Sequence, residues 1–422
     1  MYNQVFILFL SVLSVPFGAA YVPRGHTVLP ERSISFSKSS SSVGHIFPTP
    51  LELISSKDPS LWTKLVDLTA QLPPSVQSFN AANPESSITL LGKCEFSNPG
   101  MSHKDRIAKA MLEQAEARGD LRGPTGDKKI ILAASSGNTG CSLGLVGTLM
   151  GYEVAVITNA KCSEEKRTHI RSNGATLWLA EDLPTKFPDV LGSEMDYMKQ
   201  EDLIYAAHPD KYYPVNQYNN LDNRDAHYFS TGPEIWAQTG GAVTHFCMAS
   251  STGGTIQGVG KYLKEQESTV NVVLADPEKS HLAGLLKKRS DPDASARTLS
   301  EVLTKKSDSG EIMIEGAGKE SLTGIMLDGG ETFEHVDYSI SVNDFDAFDE
   351  CRAVAAAGLL VGGSSGLNIC AAKSIAAKCA SEAPKDGGVC IVTLLCDHGI
   401  KYLSKIFNDE WMEANDTRGR KP

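Results

Sequence analysis

Short apolar runs alternate with amphipathic stretches along most of the chain. Each run lies beside a segment whose apolar residues recur at helical spacing. Strand-length runs that alternate with helical patterns are typical of β-α-β units with parallel strands. The pattern therefore predicts an α/β fold in which parallel sheets are flanked by helices. The predicted strands are Lys129–Ala133, Glu153–Thr158, Thr176–Ala180, His245–Ala249, Val270–Ala275 and Val389–Leu395.

Two segments interrupt this alternation. Ser55–Glu85 contains the adjacent prolines Pro73 and Pro74 and an Asn-rich turn, which favour irregular structure over a long helix. We interpret it as part of an N-terminal extension, residues 44–90, that wraps the core. Ser280–Gly318 is a second polar segment that resembles an insertion.

The first forty residues have the composition of targeting signals. Val5–Val15 is an apolar run too short to span a bilayer, and it is followed by the small residues Gly18–Ala20. Tyr21–Val43 is rich in serine and contains a single acidic residue, Glu31, which is typical of transit peptides. Residues 1–20 are thus predicted to be a signal peptide and residues 21–43 a transit-peptide-like segment. The series resembles the bipartite presequences of algae with red-lineage secondary plastids; plain secretion is the alternative.

Composition excludes several classes of protein. With 41% hydrophobic and 22% charged residues over 422 positions, the chain is expected to be globular, as one large two-lobed domain or two ordinary domains, and once processed to lie outside membranes. The net charge of -11 argues against binding to nucleic acid. Nine cysteines are scattered without a C-x-x-C pair, so they are predicted to be buried small hydrophobic residues, with no metal site.

One lysine lies where a helix is predicted to begin. The string Asn98–Arg106 ends a strand and opens a helix, and Ser102 and Asp105 have the spacing of a capping box. Lys104 would lie in the first turn, where the positive end of the helix dipole disfavours a charged amine. A Schiff-base lysine needs such a lowered pKa. On this segment alone, an exposed first-turn lysine remains the alternative.

Three further turns join a predicted strand to a helix. Ser135–Gly140 presents hydroxyls and backbone N–H groups at a helix N-terminus, which suits a carboxylate. In Ser250–Thr255, two glycines let the backbone approach a phosphate. Gly362–Gly366 offers serine hydroxyls that could face a ring nitrogen without protonating it. Each turn taken alone could also be an ordinary glycine-containing connection.

The order of these four motifs resembles the fold-type II pyridoxal-phosphate enzymes, and within them the cysteine synthase and cystathionine β-synthase family. The resemblance runs from about Leu91 to Met412. It implies a two-lobed, tryptophan synthase β-like catalytic domain over residues 91–415, with a smaller lobe at about 100–205. It also implies pyridoxal 5'-phosphate as the cofactor.

The resemblance assigns roles to individual residues. Lys104 would form the Schiff base with the cofactor and act as the catalytic base. The other cofactor-binding residues would be Asn138 at the ring hydroxyl, Ser251, Thr252, Gly253, Gly254 and Thr255 at the phosphate, and Ser364 at the pyridine nitrogen. The substrate carboxylate would be bound by Ser135, Ser136, Thr139 and Gln217.

The chain also departs from the family pattern. Met101-Ser102-His103 stands where Gly-Ser-Val is usual before the lysine, and Ser251 opens the phosphate loop where glycine is usual. Cys396-Asp397-His398 stands where Pro-Asp-Ser is usual, so a contact around the pyridine ring is expected to differ. No reacting group is lost.

The implied reaction is β-replacement that forms L-cysteine from O-acetylserine, or serine, and sulfide. Ser230–Trp236 resembles cysteine synthases, whereas Tyr218 and Glu315 lie in segments that resemble cystathionine β-synthases, which join serine to homocysteine. Homocysteine would need partners for its charged groups, with Glu315 as a candidate. Serine or threonine dehydratase activity is a further alternative.

The resemblance also concerns partners. A homodimer is the family expectation. An alternative of another class is an inactive family member that binds the tail of a serine acetyltransferase in its active-site cleft; the retained Lys104 argues against it.

Overall fold

The computed structural model describes residues 50–160, 162–289, 311–327, 333–382, 387–416 and 418, so the predicted presequence lies outside the described residues. The strands are β1 (Leu65–Asp67), β2 (Ile88–Cys94), β3 (Ile130–Ala134), β4 (Val154–Thr158), β5 (Thr176–Leu179), β6 (Tyr212–Pro214), β7 (His245–Ala249), β8 (Asn271–Pro277), β9 (Tyr338–Val342) and β10 (Val389–Leu395).

The helices separate the strands along the chain. They are α1 (Pro74–Ala82), α2 (Lys104–Arg118), α3 (Asn138–Leu149), α4 (Glu164–Ser172), α5 (Leu183–Lys186), α6 (Pro188–Leu191), α7 (Tyr197–Ala207), α8 (Asp222–Ala226), α9 (Gly232–Gln238), α10 (Gly254–Gln266), α11 (Leu282–Arg289), α12 (Asp344–Ala356), α13 (Gly363–Ser381) and α14 (Asp409–Asn415). A π-helical segment, His227–Thr231, joins α8 to α9.

The strands form two sheets. The larger sheet has the order β1-β2-β10-β7-β8-β9, and the smaller sheet has the order β5-β4-β3-β6. Only the pairing of β1 with β2 is antiparallel among the strands of the described residues. The predicted α/β architecture with parallel sheets is confirmed, and it matches a two-lobed fold.

All six predicted strands occur; His245–Ala249 and Val389–Leu395 match at both ends, and the ends of the other four differ by at most two residues. β1 and β6 have three residues each, too few for an alternation to be recognised in the sequence. β9 alternates weakly because most of its side chains are only partly buried. These short or half-buried strands lie at sheet edges, where packing imposes the weakest pattern.

Helices cover both faces of the larger sheet, which is why its central strands are apolar throughout. On β7, Cys247 and Ala249 point into a core shared with α12 and α13, whereas Phe246 and Met248 point into a core shared with α10. Burial of each large side chain, such as Phe246, contributes about 1.5–3 kcal/mol. The smaller sheet likewise separates two apolar clusters.

The chain before β2 takes part in both lobes. Leu68, Leu72 and Val76 are buried against the larger sheet, and Ile54 is buried in the smaller lobe beside α2. β2 begins inside the predicted 44–90 extension and pairs with β10 along its whole length. The smaller sheet includes β6, which follows residue 205, the predicted end of the smaller lobe.

Seven of the nine cysteines are buried, which confirms the prediction for most of them. No helix in the described part of the chain has the length and apolarity to cross a membrane.

Candidate active site

Lys104 is the first residue of α2 and so lies in the first helical turn, as predicted. The predicted capping box is not formed, because the residue before the helix is His103 and not Ser102. Ser102 Oγ instead accepts a hydrogen bond from the Lys104 backbone N–H (3.3 Å). The Asp105 carboxylate accepts from the Gly100 N–H (2.5 Å) and from Ser142 Oγ (2.6 Å), so it ties α2 to the preceding loop and to α3.

The Lys104 side chain lines a narrow cavity between the two lobes' helices. Burial lowers the pKa of its amine to about 8, in the direction expected from the sequence. None of the residues that the structure describes forms an ion pair with Lys104. A substantial fraction of the amine is therefore neutral near pH 7–8, as a nucleophile or a base requires.

The same cavity brings together three of the predicted segments. Its walls include Lys104, the loop Ser250–Thr255 at the start of α10, and Ser364 at the start of α13. Gly253 has a φ of 92°, a left-handed conformation that side chains disfavour. At Gly254, a Cβ atom would collide with Asn223. Gly253 is thus required by its backbone conformation and Gly254 by the closeness of the Asn223 side chain. Together they place the N-terminus of a 13-residue helix at the cavity.

Hydrogen bonds hold the loop side chains in place. Thr252 Oγ1 accepts from Asn223 Nδ2 (3.2 Å), and Thr255 Oγ1 is bonded to His227 Nε2 (3.1 Å). The buried Ser250 Oγ has no hydrogen-bond partner among the described residues and lines the cavity. A buried hydroxyl without a partner at the N-terminus of α10 fits a ligand with phosphate oxygens.

Ser364 forms the far end of the cavity. It lies in the first turn of α13 and is hydrogen-bonded to the thiol of Cys396, which lines the same wall. Burial raises the pKa of that thiol to about 12, so it is neutral at physiological pH. Both groups at this end are uncharged, as expected for Ser364; the departure at Cys396 places a thiol beside it.

The predicted carboxylate-binding residues lie around the N-terminus of α3. Ser135 Oγ accepts from the Gly140 N–H (3.0 Å), Thr139 Oγ1 donates to Gln217 Oε1 (2.7 Å), and Ser136 is half-buried. Thr139 and Gln217 line a second cavity of about 410 Å³, whereas Lys104 lines the first. The structure therefore pairs Thr139 with Gln217 and separates them from the lysine cavity.

The side-chain amide of Asn138 is hydrogen-bonded to two charged side chains. Its Oδ1 accepts from Lys401 Nζ (2.8 Å), and its Nδ2 donates to Asp397 Oδ2 (2.8 Å), which also accepts from Tyr402 Oη (2.7 Å). An ammonium can only donate and a carboxylate can only accept, so these bonds fix the orientation of the amide. One Nδ2 hydrogen remains for a ligand.

Lys401 and Tyr402 were missed by the sequence analysis. They follow Asp397 within one short turn, and a lysine next to a tyrosine after the end of a strand forms no recognisable motif in the sequence. Two buried imidazoles were missed as well: the ring of His103 lies 6.0 Å from that of His227, and its Nδ1 is bonded to the Cys396 carbonyl (3.2 Å). Burial lowers the pKa of His103 to about 3, so it is neutral.

The opposite face of α2 carries a buried ionic network. Arg106 donates to both oxygens of Glu95 (2.8 Å each) and to both oxygens of Glu234 (2.6 and 2.8 Å). Lys93 Nζ lies 2.7 Å from Glu234 Oε2. Burial opposes the charge of Arg106, but the two carboxylates raise its pKa above the ordinary value. Two cations and two anions thus compensate one another inside the protein.

Glu315 is bound by two lysines. It forms ion pairs with Lys166 and with Lys405 (2.8 Å for the latter). Although burial opposes ionisation, these lysines hold the pKa of Glu315 below its ordinary value. The carboxylate is already compensated, which leaves little to attract a substrate ammonium.

A cavity that combines a low-pKa lysine, a glycine-rich helix N-terminus and a neutral serine defines a class of enzyme that uses pyridoxal phosphate. Residues 71–397 match the model of the family described as "Pyridoxal-phosphate dependent enzyme", and the chain belongs to this family.

Within this family, the chain is similar to several cysteine synthases. The chain is 33% identical to Cysteine synthase 1 of Neurospora crassa, over 81% of this chain and 83% of that one. It is 31% identical to Cysteine synthase B of Escherichia coli, over 78% and 91% of the two chains. Among solved structures, O-acetyl serine sulfhydrylase isoform 3 of Entamoeba histolytica gives a TM-score of 0.67 at 29% identity, with 91% and 97% covered.

Proposed function

We propose that this protein forms L-cysteine by pyridoxal-phosphate-dependent β-replacement, with O-acetylserine and sulfide as its substrates. The observation that carries the proposal is the single cavity in which Lys104, the Ser250–Thr255 loop and Ser364 meet. The cysteine synthases to which the chain is similar support the same reaction.

In this reaction each residue of the cavity would have a distinct role. Backbone N–H groups and hydroxyls of residues 251–255 would hold the phosphate, and the remaining Asn138 Nδ2 hydrogen would bind the ring hydroxyl. Ser364 would meet the pyridine nitrogen without adding charge. The cofactor, when bound, supplies an electron sink that makes the substrate's α-proton acidic. Lys104, whose amine is partly neutral, removes that proton from Cα.

The choice of sulfide over homocysteine rests on charge. Sulfide needs almost no contacts, whereas the ammonium and carboxylate of homocysteine need dedicated partners. Glu315, the candidate that the sequence offered, is occupied by Lys166 and Lys405. This pairing removes Glu315 as a partner for homocysteine, and the cysteine synthases to which the chain is similar support sulfide as the preferred nucleophile.

Steady-state kcat/KM for the four combinations of serine or O-acetylserine with sulfide or homocysteine tests the proposal. O-Acetylserine with sulfide should be the best pair. A clear preference for serine with homocysteine would identify a cystathionine β-synthase, and release of pyruvate without sulfide a dehydratase. No turnover of any pair, with binding of a serine acetyltransferase tail, would identify the inactive alternative.

We also propose that residues 1–43 direct the protein into a secondary plastid. The support is the apolar run followed by the serine-rich segment with one acid. A fluorescent protein fused after residue 45 should reach the plastid, and Tyr21→Ala should arrest it earlier on the route. Secretion of the intact fusion would favour the alternative, and cytosolic fluorescence would exclude both.

For assembly we propose a homodimer. Phe229 is 74% exposed on the π-helical segment and borders a groove of about 620 Å³ with Trp62 and Pro233. An aromatic residue so exposed beside an open groove suits a self-complementary contact. Light scattering should give twice the chain mass, and Phe229→Glu should shift the protein towards monomer; a monomeric wild type would refute this.

A further inference from the structure

The second cavity, next to the Thr139–Gln217 pair, is larger than those substrate contacts need. It lies between α7, the turn after β6 and the segment Lys319–Thr323. Thr323 Oγ1 donates to the Thr252 carbonyl (2.7 Å), so this wall adjoins the loop of the lysine cavity. The cavity is therefore a neighbour of the reacting centre.

Glu201 on α7 supplies an incompletely bonded carboxylate to this cavity. The residue is only 7% exposed. Its Oε2 accepts a hydrogen bond from the Ala134 N–H (3.0 Å), but Oε1 has no hydrogen-bond partner within the described part of the chain. Burial raises the pKa of Glu201 to about 7. A buried carboxylate oxygen without a partner is costly, and a ligand that donates to it would relieve the cost.

Lys319 adds a positive charge to the lining of the same cavity. The Lys319 ammonium lies 4.0 Å from the centroid of the Tyr218 ring, and burial lowers the pKa of Lys319. Both residues line the cavity with Glu201. The lining of the cavity thus contains both acidic and basic side chains, whereas sulfide itself would use neither.

We propose that this cavity is the subsite for the second substrate and that Glu201 favours thiols whose chain carries a protonated amine. The inference rests on the proposed function and extends it to nucleophiles larger than sulfide. In the reaction, the thiol loses its proton and its sulfur bonds to the donor's β-carbon. The β-carbon–oxygen bond breaks, and acetate leaves with the electron pair. O-Acetylserine and thiol thus give an S-substituted cysteine, acetate and one proton.

The test compares two thiols of equal length, cysteamine and 2-mercaptoethanol, with O-acetylserine as the donor. Because their thiol acidities differ, the diagnostic quantity is the change in the ratio of their kcat/KM values between variants. Glu201→Gln should reduce the cysteamine preference about tenfold to hundredfold, the range of a charge-assisted hydrogen bond. Asp189→Asn, which neutralises an exposed carboxylate on α6 that does not line this cavity, is the matched control and should leave the ratio unchanged.

Sulfide turnover by the same samples separates this inference from the proposed function. Wild type without sulfide turnover would overturn the proposed function, whereas an unchanged ratio in Glu201→Gln with normal sulfide turnover would overturn the subsite. Should that variant misfold, wild type provides the second measurement. n-Propylamine should inhibit sulfide turnover more strongly than n-propanol does, and equal inhibition would also overturn the subsite.

Discussion

Lys104 and Arg106 are two basic residues in the first turn of the same helix, yet their surroundings are opposite. Arg106 faces the N-terminal segment and β2, where Glu95 and Glu234 surround its guanidinium. Lys104 faces the cavity, where burial lowers its pKa to about 8. No carboxylate of the described residues pairs with Lys104.

The difference shows how one helix can serve structure and chemistry together. A buried cation with compensating carboxylates stays charged and holds elements together. A buried amine without them becomes a partly neutral nucleophile. Hydrogen bonds that the Asp105 carboxylate accepts from the preceding loop and from α3 anchor the turn between these two faces. Substitutions on the two faces of α2 should therefore have separable effects, on activity and on stability.

The largest effect is expected on the cavity face. Lys104→Ala should lower kcat/KM for O-acetylserine and sulfide by at least about 10²–10⁴-fold, because proton transfer by this side chain is lost. The folded structure should persist, as judged by far-ultraviolet circular dichroism. Lys109→Ala, on the same helix outside the cavity, is the control and should keep most of the activity. If Lys104→Ala kept as much activity as Lys109→Ala, the catalytic role of Lys104 would be contradicted.

On the opposite face the effect should be on stability. Glu234→Gln leaves Arg106 and Lys93 short of one buried negative charge, which should cost about 3–5 kcal/mol in the free energy of unfolding. Urea denaturation measures this loss. Asp120→Asn at the exposed Arg118–Asp120 pair is the control and should cost less than about 1 kcal/mol. Equal losses in the two variants would remove the structural role assigned to the network.

Ser364→Asp tests the uncharged end of the cavity. A carboxylate there should favour a protonated pyridine nitrogen and depress β-elimination by about tenfold or more, since each pKa unit is a tenfold preference. Cofactor content, measured from the visible absorbance after denaturation, should be retained. The control is Ser365→Ala, which removes the neighbouring hydroxyl that accepts a hydrogen bond from the Cys396 N–H. Unchanged elimination kinetics in Ser364→Asp would mean that the serine does not face the nitrogen.

The smallest effect is the pH dependence of cofactor capture. Covalent capture of pyridoxal phosphate needs the neutral Lys104 amine, so its rate should rise as the proton is lost. With a pKa of about 8, the neutral fraction grows roughly tenfold between pH 7 and pH 9 and then levels off. Stopped-flow absorbance on the cofactor-free enzyme measures this rate. A rise of about a hundredfold without a plateau would indicate an ordinary lysine.

The motifs could be predicted from the sequence because they are local. A lysine at a helix start and glycine-rich turns after apolar strands are visible within ten residues, and the structure places them as expected at α2, α10 and α13. The contacts that complete the site, and those of the ionic network behind it, were not predictable in this way. Asn138 meets Lys401 across more than 250 residues, and Arg106 meets Glu234 across more than 120, so only the folded chain reveals these pairs.

The residue at which α2 begins could also not be predicted from the sequence. The spacing of Ser102 and Asp105 favours a capping box. In the structure the Asp105 carboxylate instead accepts hydrogen bonds from the Gly100 N–H and from Ser142 on α3. Glu315 is a similar case, because Lys166 and Lys405 come from distant segments to neutralise it. Tertiary contacts decide how these carboxylates are used.

Borohydride reduction followed by peptide mass spectrometry tests most directly whether Lys104, and not another basic residue, is the cofactor's attachment point. The purified holoenzyme should be yellow, should lose its visible absorbance on reduction, and should carry the reduced pyridoxal phosphate adduct on Lys104. The Lys104→Ala protein should carry no adduct. An adduct on a different lysine of the wild type would contradict the account.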